Sequence, residues 1–355
     1  MQQIIKQAFG CTRSGRTVDS YTLVNRNGAS VKVITYGGTI VSVNMPDKGG
    51  RLADVVLGFD DLQSYENQDV YIGAVIGRSS SRIKHGELMI NGVNYQLSCN
   101  QNSHHLHGGD EGFDRKVWNA QICQDALKLC YISADGEEGY PGELRVTITY
   151  RLTDDNELIL DYDAVCNQDT ICNLTNHSYF NLTGDANNSV LSHKLKLHAD
   201  YYTESDKELL STGNVVSVAS TPLDFLNFKT LAENIESSFS QLQFANGYDQ
   251  NYIINRDAVG LELAAELFDE TSGRLMKCYT TMPGIQLYSS NFLDGILIGK
   301  NHIAYQKHCA LCLETQFFPG NIQFENFPTS VLKADTPYHH TTVYRFETVS
   351  DLVKQ

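Results

Sequence analysis

The sequence predicts an all-β protein, built as a large β-sandwich with few short helices. Three observations lead there. The 355-residue chain holds 19 Tyr and 15 Phe beside 27 Gly and only 7 Pro, a balance that favours strands joined by tight turns. Segments of apolar alternation follow one another along the chain, whereas helical spacing is rare. Turn signals such as Asn27-Gly28, Gly37-Gly38 and Asn91-Gly92 separate these segments at short intervals. A hydrophobic fraction of 41% supports a sizeable core. No linker, composition shift or internal repeat divides the chain, so residues 1–355 are expected to form one domain.

In chain order, Ser20–Val24, Val31–Tyr36 and Thr39–Met45 read as strands, and Val55–Phe59 as a further one. Leu62–Gln68 fits a short helical turn. Gly73–Ile83 is a glycine-bounded apolar run leading into a polar turn with Arg78 and Arg82. It lacks the glycine spacing and lysine of a phosphate loop, so nucleotide binding is rejected, and either arginine is within reach of a ligand hydroxyl or serves the fold. Glu87–Ile90 and Val93–Leu97 form a hairpin across Asn91-Gly92. Asp135–Gly142 resembles a calcium loop only superficially, because the alternating ligands and the terminal Glu are missing. Arg145–Leu152 and Leu158–Cys166 pair across Asp154-Asp155-Asn156. Beyond them, Thr230–Phe239 is the helix candidate, Tyr279–Tyr288 is a strand interrupted at Pro283-Gly284, and Ala310–Phe318 is the last strong strand.

The net charge of −15 argues against nucleic acid and anionic membranes as partners and favours a small neutral ligand. Nine cysteines lack metal-type spacing and suit free thiols in a reducing compartment; Cys309 and Cys312 form a C-x-x-C with no second pair. Met1–Lys6 has no apolar signal region and no run reaches membrane-spanning length, which points to the cytoplasm. The sequons at Asn173, Asn176 and Asn181 are then accidental. His104, His105 and His107 suggest a metal at first sight, but no partner ligands accompany them, so no metal is expected.

The most informative stretch is Asn173–Leu182. Taken as a strand, it puts Asn173, Thr175, His177, Tyr179 and Asn181 on one face, all able to hydrogen-bond. That face suits the floor of a cleft for a polar neutral ligand, with His177 at its centre; a histidine satisfied by backbone groups is the alternative. In the last strand, Glu314 lies beside Cys312 and Gln316, opposite Leu311, Leu313 and Phe317. A carboxylate there is costly unless it is paired or functional. Glu314 and His177 together offer an acid–base pair. Arg82, His107, Asp249 and Gln286 are candidate ligand-orienting groups.

These motifs carry a resemblance. Gly73–Arg78, Leu106–Gly109, Asp135–Leu144, Thr175–Leu182, Gly247–Tyr252, Pro283–Gln286, Asn291–Gly295 and Glu314–Gln316 occur in the order found in the aldose 1-epimerases, or galactose-type mutarotases. The resemblance implies a galactose mutarotase-like β-sandwich with the sugar in an open cleft. It implies interconversion of the α and β anomers of free aldohexoses, galactose or glucose, without a cofactor. Glu314 then takes the anomeric hydroxyl proton and His177 protonates the ring oxygen, while Ser81, Arg82, His107, Asp249 and Gln286 bind the sugar. The expected assembly is a monomer or weak dimer. Three positions depart from the common pattern: Ser81 replaces Asn, Gln250 stands where His is frequent, and Gly320 where Asp often follows Glu-Thr-Gln. The rival readings are a glycosidase using Glu314 and Asp249, a non-catalytic sugar sensor on the same fold, and a hexose-6-phosphate epimerase. The last would need a basic pocket for which the acidic composition gives no encouragement.

Overall fold

Alternation along the chain resolves into three large antiparallel sheets in the computed structural model, which describes residues 3–349. Of the Met1–Lys6 segment, Met1 and Gln2 lie outside the described residues. Gln3–Cys11, Thr17–Val24, Ser30–Ile34, Ile40–Pro46 and Leu52–Asp54 form a five-stranded sheet in chain order. The nine-stranded sheet runs Asn119–Cys123, Ala126–Ser133, Leu144–Leu152, Glu157–Cys166, Tyr338–Thr348, Arg274–Thr280, Glu262–Asp269, Lys194–Leu197, Lys229–Thr230. The six-stranded sheet runs Tyr179–Phe180, Leu311–Gln316, Gly284–Tyr288, Asp249–Ile253, Tyr201–Ser205, Ser211–Ser217. Pro283-Gly284 marks the crossing from the nine-stranded to the six-stranded sheet. The Leu62–Asn67 helix is capped by Asp61, whose side chain accepts from the Ser64 N–H. Asn91 and Gly92 turn their hairpin with positive φ, 52° and 78°.

The six-stranded sheet positions the site. Its register sets Gln286 opposite Glu314 on one side and Asn251 on the other, and Tyr288 opposite Cys312 and Asp249. Opposed residues share a face, so Cys312, Glu314, Gln286, Tyr288, Asp249 and Asn251 lie together. The opposite face carries Leu311, Leu313, Ile285, Leu287 and Tyr252, all buried in the main apolar cluster. That face packs on the nine-stranded sheet. The Tyr344 hydroxyl donates to the Leu313 carbonyl at 3.0 Å, the Phe180 and Tyr344 rings lie 5.0 Å apart, and the Thr315 and Thr342 hydroxyls meet. These contacts make the sandwich, with one polar face of the six-stranded sheet left for a ligand.

Three expectations need correction. Thr230–Phe239 is not a helix: Lys229–Thr230 pairs with Lys194–Leu197, which holds its start extended, and a 3-10 turn follows at Leu231–Glu233. The helix lies at Ser240–Ala245 and ends on Asn246 in the left-handed conformation. Asn173–Leu182 is not one strand: Thr175–Asn176 and Tyr179–Phe180 pair with different partners. Between them Asn176 Oδ1 accepts from both the Ser178 N–H and hydroxyl, a side-chain turn that interrupts the extended backbone at His177. Asn181 does the same with Thr183. Val55–Phe59 joins no sheet; Val56 makes a single bridge to Phe180.

Candidate active site

A cleft of about 330 Å³ opens over the polar face of the six-stranded sheet. Ser81, Arg82, His107, His177, Asp249, Gln286 and Glu314 all line it. They come from six separate segments. Glu314, Gln286 and Asp249 stand on three adjacent strands. His177 sits in the turn before the edge strand. Arg82 belongs to a two-stranded ribbon, where it faces Leu106, and His107 follows Leu106 directly.

The loop holding His107 is fixed locally. Asn100 Nδ2 donates to the Leu106 and Gly109 carbonyls, and its Oδ1 accepts from the Leu106 N–H. Gly108 has φ +98°, and a Cβ there would meet the Gly77 carbonyl at 1.9 Å, so only glycine fits. The acidic turn read as a failed calcium loop braces the same segment: Glu138 accepts from the Asp110 and Glu111 N–H groups. His107 Nδ1 accepts from the Ser81 N–H at 3.2 Å. That bond leaves the ring proton on Nε2, and burial holds the imidazole well below its usual range, so His107 is a neutral donor.

His177 is 5% exposed and Glu314 3% exposed, and their Nε2 and Oε1 atoms lie 3.6 Å apart. The imidazole is stacked between two phenol rings, Tyr179 at 5.0 Å and Tyr71 at 6.0 Å between centroids. Tyr179 is anchored through its hydroxyl, which donates to the Val70 carbonyl. Burial drives both groups toward neutrality: the His177 imidazole is held down at about 4, and the Glu314 carboxyl is pushed well above the carboxylate range. The neighbouring Asp249 adds to the rise at Glu314 and Arg82 opposes it. Glu314 Oε2 and Gln286 Oε1 are buried acceptors with no hydrogen-bond partner among the described residues. Both atoms border the cleft, where a ligand hydroxyl or a water is able to donate to them. Asp249, raised by its own burial, accepts from Gln286 Nε2 at 2.6 Å, and Arg82 is steered by Gln101 at 2.6 Å.

Other sequence candidates separate from the cleft. Arg78 is buried and spends its donors on the Ser133, Ala134 and Pro141 carbonyls and the Ser133 hydroxyl. His105 bonds the Ser98 carbonyl and the Tyr140 hydroxyl; His104 accepts from the His85 N–H. Of the polar row read from Asn173 to Asn181, only His177 and Tyr179 reach the cleft. Asn173 accepts from the Phe317 N–H, and Asn181 donates to the Asn188 and Cys309 carbonyls. Gln250 faces away, accepting from the Asp249 N–H and donating to the Gln241 carbonyl. The cleft also contains Tyr71, Tyr288, Phe292 and Gln101, which sequence reasoning did not assign. Tyr288 was legible two residues from Gln286 on the same face; Tyr71 sits in a loop with no periodic signal.

The sequence and the fold both match known proteins. The family model described as aldose 1-epimerase matches residues 19–345. The galactose mutarotases of Homo sapiens and Mus musculus are 39% and 38% identical over 347 residues, covering 98% of this chain and 99% of theirs. The aldose 1-epimerase of Escherichia coli K12 is 33% identical over 328 residues, covering 92% and 94%. Among solved structures, the aldose epimerase homologue from C. elegans superposes with a TM-score of 0.85 at 28% identity, over 98% of this chain and 100% of that one. The galactose 1-epimerase from Lactobacillus acidophilus also reaches 0.85, at 26% identity. The chain belongs to the aldose 1-epimerase family and is, with it, an isomerase that interconverts aldose anomers.

Proposed function

We propose that Glu314 and His177 are the proton carriers of this reaction, acting on free aldohexoses such as galactose and glucose. The observation that carries the proposal is their juxtaposition, 3.6 Å apart on the cleft wall. With both groups pressed toward neutrality, the pair holds one proton. In the reactive form the proton is on His177. The Glu314 carboxylate removes the O1 proton of the sugar as His177 Nε2 protonates the ring oxygen. The C1–O5 bond breaks while the C1–O1 double bond forms. Both groups are then uncharged, the form that a desolvated cleft favours. Rotation about C1–C2 and the reverse transfers give the other anomer.

Arg82, His107, Asp249 and Gln286 orient the sugar hydroxyls, with Ser81 supporting the His107 loop through its N–H. Arg82 is the one Lys or Arg lining the cleft among the described residues, beside Asp69, Asp249 and Glu314. That balance suits a neutral sugar better than a hexose phosphate.

His107, His177 and Glu314 offer ligand atoms within 4.8 Å of one another, a set that invites comparison with a metal centre. A metal-bound imidazole donates its other ring N–H. His107 instead accepts at Nδ1, so coordination through Nε2 would require a proton to move against the Ser81 N–H. We therefore assign the trio to proton transfer and hydrogen bonding. Activity is expected to survive exhaustive chelation, and stoichiometric zinc in the active protein would count against the assignment. The chain is proposed to work as one domain, as a monomer or weak dimer in the cytoplasm. No helix among the described residues is long and apolar enough to cross a membrane. Polarimetry on fresh α-D-galactose and α-D-glucose tests the activity. Binding without faster equilibration would indicate a sensor, and release of sugar from a glycoside would indicate a hydrolase.

A further inference from the structure

Cys312 is fully buried on the strand that carries Glu314, yet it has no part in the proton transfers. Its Cα partners in the sheet are Tyr179 and Tyr288. Its Sγ lies 3.5 Å from His177 Nδ1, the ring nitrogen remote from Glu314. An imidazolium that gives up its Nε2 proton is left with its proton on Nδ1. Re-closure of the sugar returns a proton to Nε2. The ring therefore cycles between a doubly protonated form and the Nδ1–H tautomer, and Nδ1–H needs an acceptor throughout.

We propose that Cys312 is a positioning residue for His177: its sulfur accepts the Nδ1–H, fixes the tautomer and keeps Nε2 as the nitrogen that exchanges the mobile proton. Sulfur suits the task because it is a weak acceptor. A carboxylate at Nδ1 would stabilise the imidazolium and make His177 a poorer acid. The thiol offers a partner without that charge. Burial pushes the thiol well above its usual range, so it stays neutral. The other titratable groups around the ring are Glu314, Tyr71, Tyr179, Tyr288 and His107. The three tyrosines are raised by burial and His107 is neutral, which leaves Glu314 as the group that exchanges charge with His177. The two cleft imidazoles thus have opposite tautomers: His107 is fixed as a donor at Nε2 by the Ser81 N–H, and His177 is kept receptive at Nε2 by Cys312.

This inference rests on the proposed role of His177, and the tests separate the two. In wild-type protein with ¹⁵N-labelled histidines, long-range ¹H–¹⁵N spectra at neutral pH read the tautomer directly. The His177 signal is assigned by its absence from His177→Asn. A protonated Nδ1 and a bare Nε2 are expected; a protonated Nε2 with a bare Nδ1 overturns the inference, whatever the variants do. Kinetics give the second arm. Cys312→Ala should lower kcat by about 10- to 100-fold with KM within about threefold, the pattern of a misaligned acid rather than lost binding. Cys312→Ser restores an acceptor, so it should recover part of the loss and move the acid limb of the pH profile upward. Wild-type kcat in both variants with an unmoved acid limb overturns the inference while leaving His177 as proton carrier. A fully active His177→Asn would instead remove the reading on which it rests.

Discussion

Glu314 has the surroundings that its proposed proton-transfer role requires. Oε1 faces His177 and Oε2 has no partner among the described residues, although the side chain is 3% exposed. A buried acceptor without a partner costs about 1–3 kcal/mol, and a sugar hydroxyl would supply one on binding. Asp249 is a contrasting carboxylate, tied to Gln286 Nε2, and its proposed role is to orient the sugar rather than to carry protons. Asp249→Asn is expected to weaken transition-state binding by about 1–3 kcal/mol, the cost of disturbing a buried charged hydrogen bond. Unchanged kcat/KM with every sugar tested would refute that role. Both carboxylates were legible in the sequence, Glu314 because it interrupts an apolar strand, Asp249 because of its motif. The stacking of His177 between Tyr71 and Tyr179 was not, because contacts between distant loops leave no periodic trace.

At the scale of elements, the Gly73–Ile83 segment is distinctive. Ser81 adopts φ +61°, a left-handed conformation in which asparagine is several-fold enriched. Its N–H bonds His107 and its hydroxyl accepts from Gln316 Nε2 at 3.1 Å. An Asn here, which the resemblance leads one to expect, would suit this backbone conformation better than Ser81 does. Ser81→Asn is expected to raise the thermal midpoint by about 1–3 °C through reduced backbone strain, with the larger kinetic change in KM and kcat within a few-fold. Differential scanning calorimetry and steady-state kinetics check both parts, and a lower midpoint with a large fall in kcat would contradict them. The strands and hairpins on either side were legible because one face is core. The turn at Asn176-His177-Ser178 was misread as strand, since alternation cannot reveal that Asn176 bonds Ser178. The same fact accounts for the sequons: Asn173, Asn176 and Asn181 are at most 2% exposed and bonded within the fold.

Across the whole molecule, buried histidines dominate the acid response. His177, His193 and His340 are each depressed by burial from 6.5 to about 4. A group depressed on folding contributes stability that is complete above its unfolded pKa and is lost as pH falls through its folded one. His105, His107 and His308 are depressed as well. Asp114, Asp249 and Glu314, all raised, oppose the trend but are fewer. The thermal midpoint should fall by about 5–15 °C between pH 6.5 and 4.5, and a flat or rising midpoint there would show that these rings are charged in the folded state. The sandwich itself was legible because its two-residue period runs through most strands; the assignment of strands to three sheets was not, since only long-range pairing decides it. All of this scaffolding brings Glu314 and His177 within 3.6 Å, and the central claim is that this pair moves the protons. The most direct measurement is kcat on fresh α-D-galactose for Glu314→Gln and His177→Asn, with folding verified by circular dichroism and thermal melting and sugar binding measured alongside. Each folded variant should lose about two to four orders of magnitude in kcat while still binding sugar; a folded variant retaining kcat within about threefold of wild type would contradict the claim for that residue.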